Sequence, residues 1–163
     1  MSAVRPLCLL DVDGVLNALS DDSTLEKHRV QGFTLRLPHG IRERVAVLEE
    51  HFDMVWSTTW WDEIGREIAP LYGFGSDWPV ISFAWAVGSR GPIDKVPVVD
   101  KWLTDHASDR AVCWIDDDPG KRAQEWALSR PAPTKLITPD WAVGLTDHQV
   151  ADAGGWARLA SGT

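Results

Sequence analysis

Apolar residues along the chain fall into short continuous runs separated by longer amphipathic stretches. Leu7-Cys8-Leu9-Leu10 is the first run and stops at Asp11-Val12-Asp13-Gly14. Four apolar residues without alternation describe a strand buried on both faces. Residues 20–27 are polar and read as loop. His28 to Leu37 predicts a small hairpin, because Gln31-Gly32 is a turn sequence and Phe33, Leu35 and Leu37 alternate with polar residues. Pro38 and Gly40 punctuate it. Ile41, Val45, Leu48 and Phe52 share one helical face, which predicts a helix over about 40–51. That helix delivers the chain to Met54-Val55-Trp56, a second buried strand.

The second strand ends in Ser57-Thr58-Thr59, after which Ile64, Ile68 and Leu71 recur at helical spacing with a hydroxyl available as cap. Residues 73–93 are rich in Gly, Pro and aromatics, with Val80-Ile81-Ser82-Phe83 as a short strand. Val99, Trp102, Leu103 and His106 mark a helix whose first turn accommodates Pro97. Ala111 to Ile115 is a further buried strand ending at Asp116-Asp117-Asp118, and Pro119 opens a helix running to about Ser129. Pro131 and Pro133 precede a last short strand at Leu136-Ile137. Thr146 and Gln149 then form a capping-box pattern for a terminal helix that Gly154-Gly155 weakens.

Strands alternating with helices predict an α/β fold. The expected architecture is a three-layer, Rossmann-like parallel sheet with helices on both faces, right-handed crossovers and a small hairpin inserted after the first strand, over about 18–38. A length of 163 residues suits one domain spanning 1–163. In such sheets ligands bind at the carboxyl ends of the strands, so the polar residues at three strand ends are the place to look for chemistry.

Composition narrows the function. Sixteen Lys and Arg against 24 Asp and Glu give a net charge of -8, which argues against a general nucleic-acid coat or a binder of anionic membranes. A local basic pocket stays compatible with it. The two cysteines, Cys8 and Cys113, each sit in an apolar run and form neither a disulfide framework nor a zinc site, so a reducing cytoplasm is expected. The stretch from Leu7 to Leu10 is too short for a signal segment or a membrane span, and no membrane association is expected. The five histidines show no metal spacing. Ten tryptophans stand against one tyrosine, and most are expected to fill core or rim.

Asp11 and Asp13 lie two residues apart at the end of the first strand, a spacing that in extended backbone points both carboxylates the same way. Asp116 and Asp117 end another strand. Carboxylates from two strands meeting at one sheet edge repel each other unless a hard divalent cation sits among them, and Mg2+ suits an all-oxygen shell. Ser57, Thr58 and Thr59 offer hydroxyl and backbone donors to an oxyanion, or serve as a simple helix cap. Lys95 precedes a helix and supplies one fixed cation.

The ordered segments LLDVDGVLN, VWSTTW, DKVPVVDKWL and CWIDDDPG resemble the four motifs of the haloacid dehalogenase (HAD) superfamily of phosphohydrolases, over about residues 7–129. The resemblance implies a Mg2+-dependent phosphatase acting on a phosphorylated substrate. Asp11 would be the nucleophile that forms an aspartyl-phosphate. Asp13 would act as general acid and then base, with its backbone carbonyl on the metal. Thr58, or Ser57 one residue earlier, would hold the phosphoryl group, with Thr59 and Trp60 beside it. Lys95 would steady nucleophile and phosphate, Lys101 being the alternative six residues on. Asp116 would complete the metal shell, with Asp117 behind it. Metal-free dehalogenases of the superfamily lack the second acid, so Asp13 argues against carbon–halogen chemistry. The segments 14–38 and 62–92 are too short for the separate cap domain of larger members.

Small tryptophan-rich chains of this kind are similar to the phosphatase domains that accompany RNA-repair enzymes, through VWSTTW and GLTDHQV. A polynucleotide end is then a possible substrate beside a small metabolite, with Arg29, Arg36 and Arg90 in segments that border the site. Trp60 and Trp61 either stack on a base or pack the following helix against the sheet. Two rivals come from other classes. A phospho-receiver domain needs its acceptor Asp on a middle strand and its Lys ending a late one, an order that does not fit this chain. A non-catalytic module holding a divalent cation would use the same carboxylates without turnover.

Overall fold

The computed structural model describes residues 4–61, 63–83 and 93–162. Three short apolar runs become the inner strands of a five-stranded sheet, β1 (Leu7–Leu10), β4 (Asp53–Thr58) and β6 (Val112–Ile115), with β5 (Val80–Ser82) at one edge and β7 (Thr134–Ile137) at the other. Every pairing is parallel and the order is β5-β4-β1-β6-β7. All residues of β1 and β6 are buried, as continuous apolar runs require of strands covered on both faces. The chain builds outward from β1 to β4 and β5, then crosses back to β6. The switch in direction falls between β1 and β6, where Asp11 and Asp116 end their strands.

Strand alternation sorts the core into two layers. Cys8, Leu10, Met54, Trp56, Cys113 and Ile115 face α1 (Ile41–His51), α2 (Ala69–Tyr72) and α5 (Asp147–Ala160). Leu7, Leu9, Val55, Val112 and Trp114 face α3 (Val96–His106) and α4 (Ala123–Ser129). The expected three layers are therefore present. Between β1 and α1 stands the antiparallel hairpin of β2 (Glu26–Val30) and β3 (Phe33–Leu37), with Leu35 and Leu37 in the core. Its two-residue turn holds Gln31 at φ 49° and Gly32 at φ 86°, the left-handed pair that fits the strands' twist.

Several boundaries differ from the sequence reading, among them the start of β7, which is Thr134 rather than Leu136. β2 starts at Glu26, inside the stretch expected as loop. The helix expected from about 40 starts at Ile41, with Gly40 left-handed before it. β4 runs on through Ser57 and Thr58 because both pair with β5, so these hydroxyls cap no helix; a π-helical segment, Ile64–Ile68, begins further on and leads into α2. α4 starts at Ala123 rather than Pro119, because Gly120 at φ 101° cannot lie in a right-handed helix. The capping box of α5 forms as the pattern predicts: Thr146 Oγ1 accepts the Gln149 N–H, and the Gln149 side chain accepts the Thr146 N–H. Among the described residues no helix is long and apolar enough to cross a membrane.

Candidate active site

The buried strands end in charge. Asp11 follows β1, and its N–H bonds the Ile115 carbonyl; Asp116 follows β6, and its N–H bonds the Ile137 carbonyl. The sheet ladder thus fixes both backbones just where the side chains become acidic. Lys95, immediately before α3, reaches between them. Its ammonium donates to Asp11 Oδ2 at 2.9 Å and to both Asp116 oxygens at 2.8 Å. It also stands 5.7 Å from the centre of the Phe83 ring. Only 7% of Lys95 and none of Asp116 is exposed, so water does little to screen these charges.

One ammonium between two carboxylates leaves a net negative site. Burial pushes the Asp11 carboxyl well above its ordinary range, and Asp116 adds to that. Burial likewise raises Asp116. Burial works against the Lys95 ammonium, but Asp11 and Asp116 outweigh it and raise its pKa, so the lysine is the cation of the trio. Asp117 is pushed up to about 6, by burial first and by Asp116 second.

Oxygens of Asp11, Asp116 and Asp117 converge within 4.8 Å of one another. Gly14 makes room for this. It sits at φ 75°, and a Cβ there would meet the Asp117 carboxylate at 2.3–2.6 Å, so a side chain is excluded twice over. The donor set is all carboxylate, drawn from two strand ends and negative overall, which fits a hard divalent cation such as Mg2+. The Asp118 N–H donates to Asp116 Oδ1 at 2.9 Å and keeps that carboxylate turned inward.

Asp13 lies outside this triad but on the same pocket, an open recess of about 280 Å3 lined by Asp11, Asp13, Thr59, Ile93, Lys95, Asp117 and Asp118. Its two oxygens have separate partners: Asn17 Nδ2 donates to Oδ1 at 2.7 Å and Trp60 Nε1 to Oδ2 at 3.0 Å. A wider recess of about 510 Å3 beside Lys135 and Trp156 has no such convergence of carboxylates.

The hydroxyl run divides by depth. Ser57 and Thr58 are buried, Ser57 Oγ without a hydrogen-bond partner among the described residues. Thr58 Oγ1 accepts the Trp60 N–H at 3.1 Å. Thr59 reaches the pocket wall. Trp60 packs against the core while Trp61 is exposed. Lys101 is exposed on α3 and pairs with Asp105, away from the carboxylates. Arg90 lies outside the described residues. Sequence reasoning assigns no role to Asn17, although the DxDGxxN spacing carries it, and none to the inward-turning N–H of Asp118.

A parallel sheet switching direction at β1, a hairpin directly after it and strand-end aspartates bridged by a buried lysine define a domain of the HAD class. Over residues 7–150 the chain matches the family described as the HAD domain in Swiss Army Knife RNA repair proteins, and it belongs to that family. No curated protein matches the sequence.

Proposed function

We propose that this chain is a Mg2+-dependent phosphatase that hydrolyses a phosphate monoester through an aspartyl-phosphate on Asp11. The observation that supports this best is the buried bridge of Lys95 to Asp11 and Asp116, with Asp13 on the same pocket. Asp11 is held by Lys95 on Oδ2 and by the Val12 N–H on Oδ1 at 2.7 Å. A nucleophile fixed in this way loses little freedom on the way to attack.

One Asp11 oxygen attacks phosphorus, the bond from phosphorus to the leaving oxygen breaks, and Asp13 gives that oxygen a proton. Water then attacks the same phosphorus, Asp13 takes its proton, and Asp11 is released with inorganic phosphate. Thr58 still has its O–H to donate to the phosphoryl group, with Ser57 behind it and Thr59 and Trp60 at its flank. Lys95 offsets part of the phosphoryl charge. Asp11, Asp116 and Asp117, with the Asp13 carbonyl, would hold Mg2+, which when bound supplies the charge that lets an anionic nucleophile approach an anionic phosphate.

The family points to RNA ends as substrate, and the hairpin supports it. Lys27, Arg29 and Arg36 share one of its faces through the pairs Lys27–Arg36 and Arg29–Thr34, giving a local basic strip on an acidic protein. With Cys8 and Cys113 as free buried thiols, a reducing cytoplasm suits the chain. The test is a panel of phosphate esters with Mg2+ and with EDTA. We expect turnover that EDTA abolishes and Mg2+ restores, faster on an end-phosphorylated oligonucleotide than on a mononucleotide and falling steeply with salt. Absence of turnover across the panel would leave a cation-binding module. Salt-insensitive preference for a small metabolite would remove the nucleic-acid substrate alone.

A further inference from the structure

Both carboxylate oxygens of Asp13 are held by residues that are themselves tied to β3 of the hairpin. Asn17 donates to Oδ1, and Asn17 Oδ1 in turn accepts the Arg36 N–H at 2.7 Å. Trp60 donates to Oδ2, and its ring meets Phe33 edge-on, with centroids 5.6 Å apart at 84°. Phe33 opens β3 directly after the hairpin turn and is 65% exposed. A large aromatic with so much surface in water has its one ring contact on Trp60 among the described residues. Trp60 meanwhile joins two distant parts of the chain, since its indole bonds Asp13 from 47 residues away.

We propose that Trp60 is a positioning residue for Asp13: its indole N–H fixes the carboxylate that serves the leaving oxygen, and Phe33 makes that orientation depend on the hairpin tip. This deepens the phosphatase reading and rests on it. An N–H on Oδ2 uses one lone pair of that oxygen and leaves the other free to carry the proton that passes to the leaving oxygen as its bond to phosphorus breaks. The hairpin tip reaches Asp13 through Trp60, so a substrate that presses on it would settle the acid at the same time.

Leaving groups of different basicity separate positioning from general damage. An alkoxide leaving group needs its proton as the bond breaks, whereas p-nitrophenolate departs without one. In Trp60→Phe we expect kcat/KM to fall about ten- to hundred-fold on an alkyl phosphate, as loss of a hydrogen bond to a charged group implies, but less than about threefold on p-nitrophenyl phosphate. In an Asp13→Asn background the same change should cost nothing further, because the group it positions is gone. Phe33→Ala, which removes an exposed ring and spares the core, should show the same asymmetry in smaller degree and serves if Trp60→Phe is unstable. Equal losses on both esters in either variant, or additivity with Asp13→Asn, would overturn the role of Trp60. Wild-type protein that hydrolyses neither ester would instead take down the phosphatase reading and this inference with it.

Discussion

Asp116 and Asp118 lie two residues apart, yet their surroundings give them different work. Asp116 is wholly buried and accepts two bonds from Lys95, while Asp118 lines the pocket and contributes its backbone N–H to Asp116. Asp116→Ala should therefore weaken Mg2+ activation at least about tenfold, since it removes a carboxylate proposed to hold the cation, and Asp118→Ala should change it little. Titrating activity with Mg2+ in both variants checks this, and equal effects would mean that the wrong carboxylate has been given to the cation. At this scale the sequence is legible where an apolar run meets acid: Asp11, Asp13, Asp116 and Asp117 all stand at the ends of strands that periodicity finds. Asn17 and Trp60 are not legible in the same way. A hydrogen bond between positions 13 and 60 leaves no local pattern, and only the closed fold brings the two together.

Elements were readable in proportion to how local their signals are. The capping box of α5 is complete within four residues, and both of its bonds form. Thr146→Ala should cost about 1 kcal/mol, a drop of roughly 3 °C in Tm for a chain of this size, with kcat unchanged because α5 takes no part in the pocket. A thermal melt and one rate measurement suffice. The hairpin was equally local, as Gln31-Gly32 and the alternation after it specify both turn and register. The end of β4 was not. Ser57 and Thr58 have the chemistry of a helix cap, and only pairing with Ile81 and Ser82 of β5 draws them into the sheet. Pro119 can open a helix, but the left-handed conformation of Gly120, at φ 101°, holds α4 back to Ala123.

For the whole molecule, the acidic cluster is a cost to folding when no cation offsets it. Asp117 is raised to about 6 from an ordinary carboxylate value near 3.8, so the folded state holds its proton more tightly than the unfolded chain does. Stability from this group therefore increases as pH falls through about 6 and is lost above it. In EDTA, Asp117→Asn should melt above wild type near pH 7.5, and the gap should narrow near pH 5; a gap that widens on acidification would contradict the sign of the shift. Adding Mg2+ should raise the Tm of wild type more at the higher pH, because a cation that binds only the folded, ionised cluster stabilises by mass action. The proposed chemistry rests on one atom group, the Asp11 carboxylate, which follows β1 at the switch point and accepts from Lys95. Acid-quenching the protein during turnover of a phosphate ester with Mg2+ and mapping the phosphoryl group by mass spectrometry tests this most directly. The account predicts one phosphoryl group on the peptide carrying Asp11, released by hydroxylamine and absent, along with turnover, in Asp11→Asn; undiminished hydrolysis by Asp11→Asn, with no phosphoryl group on that peptide in wild type, would contradict it.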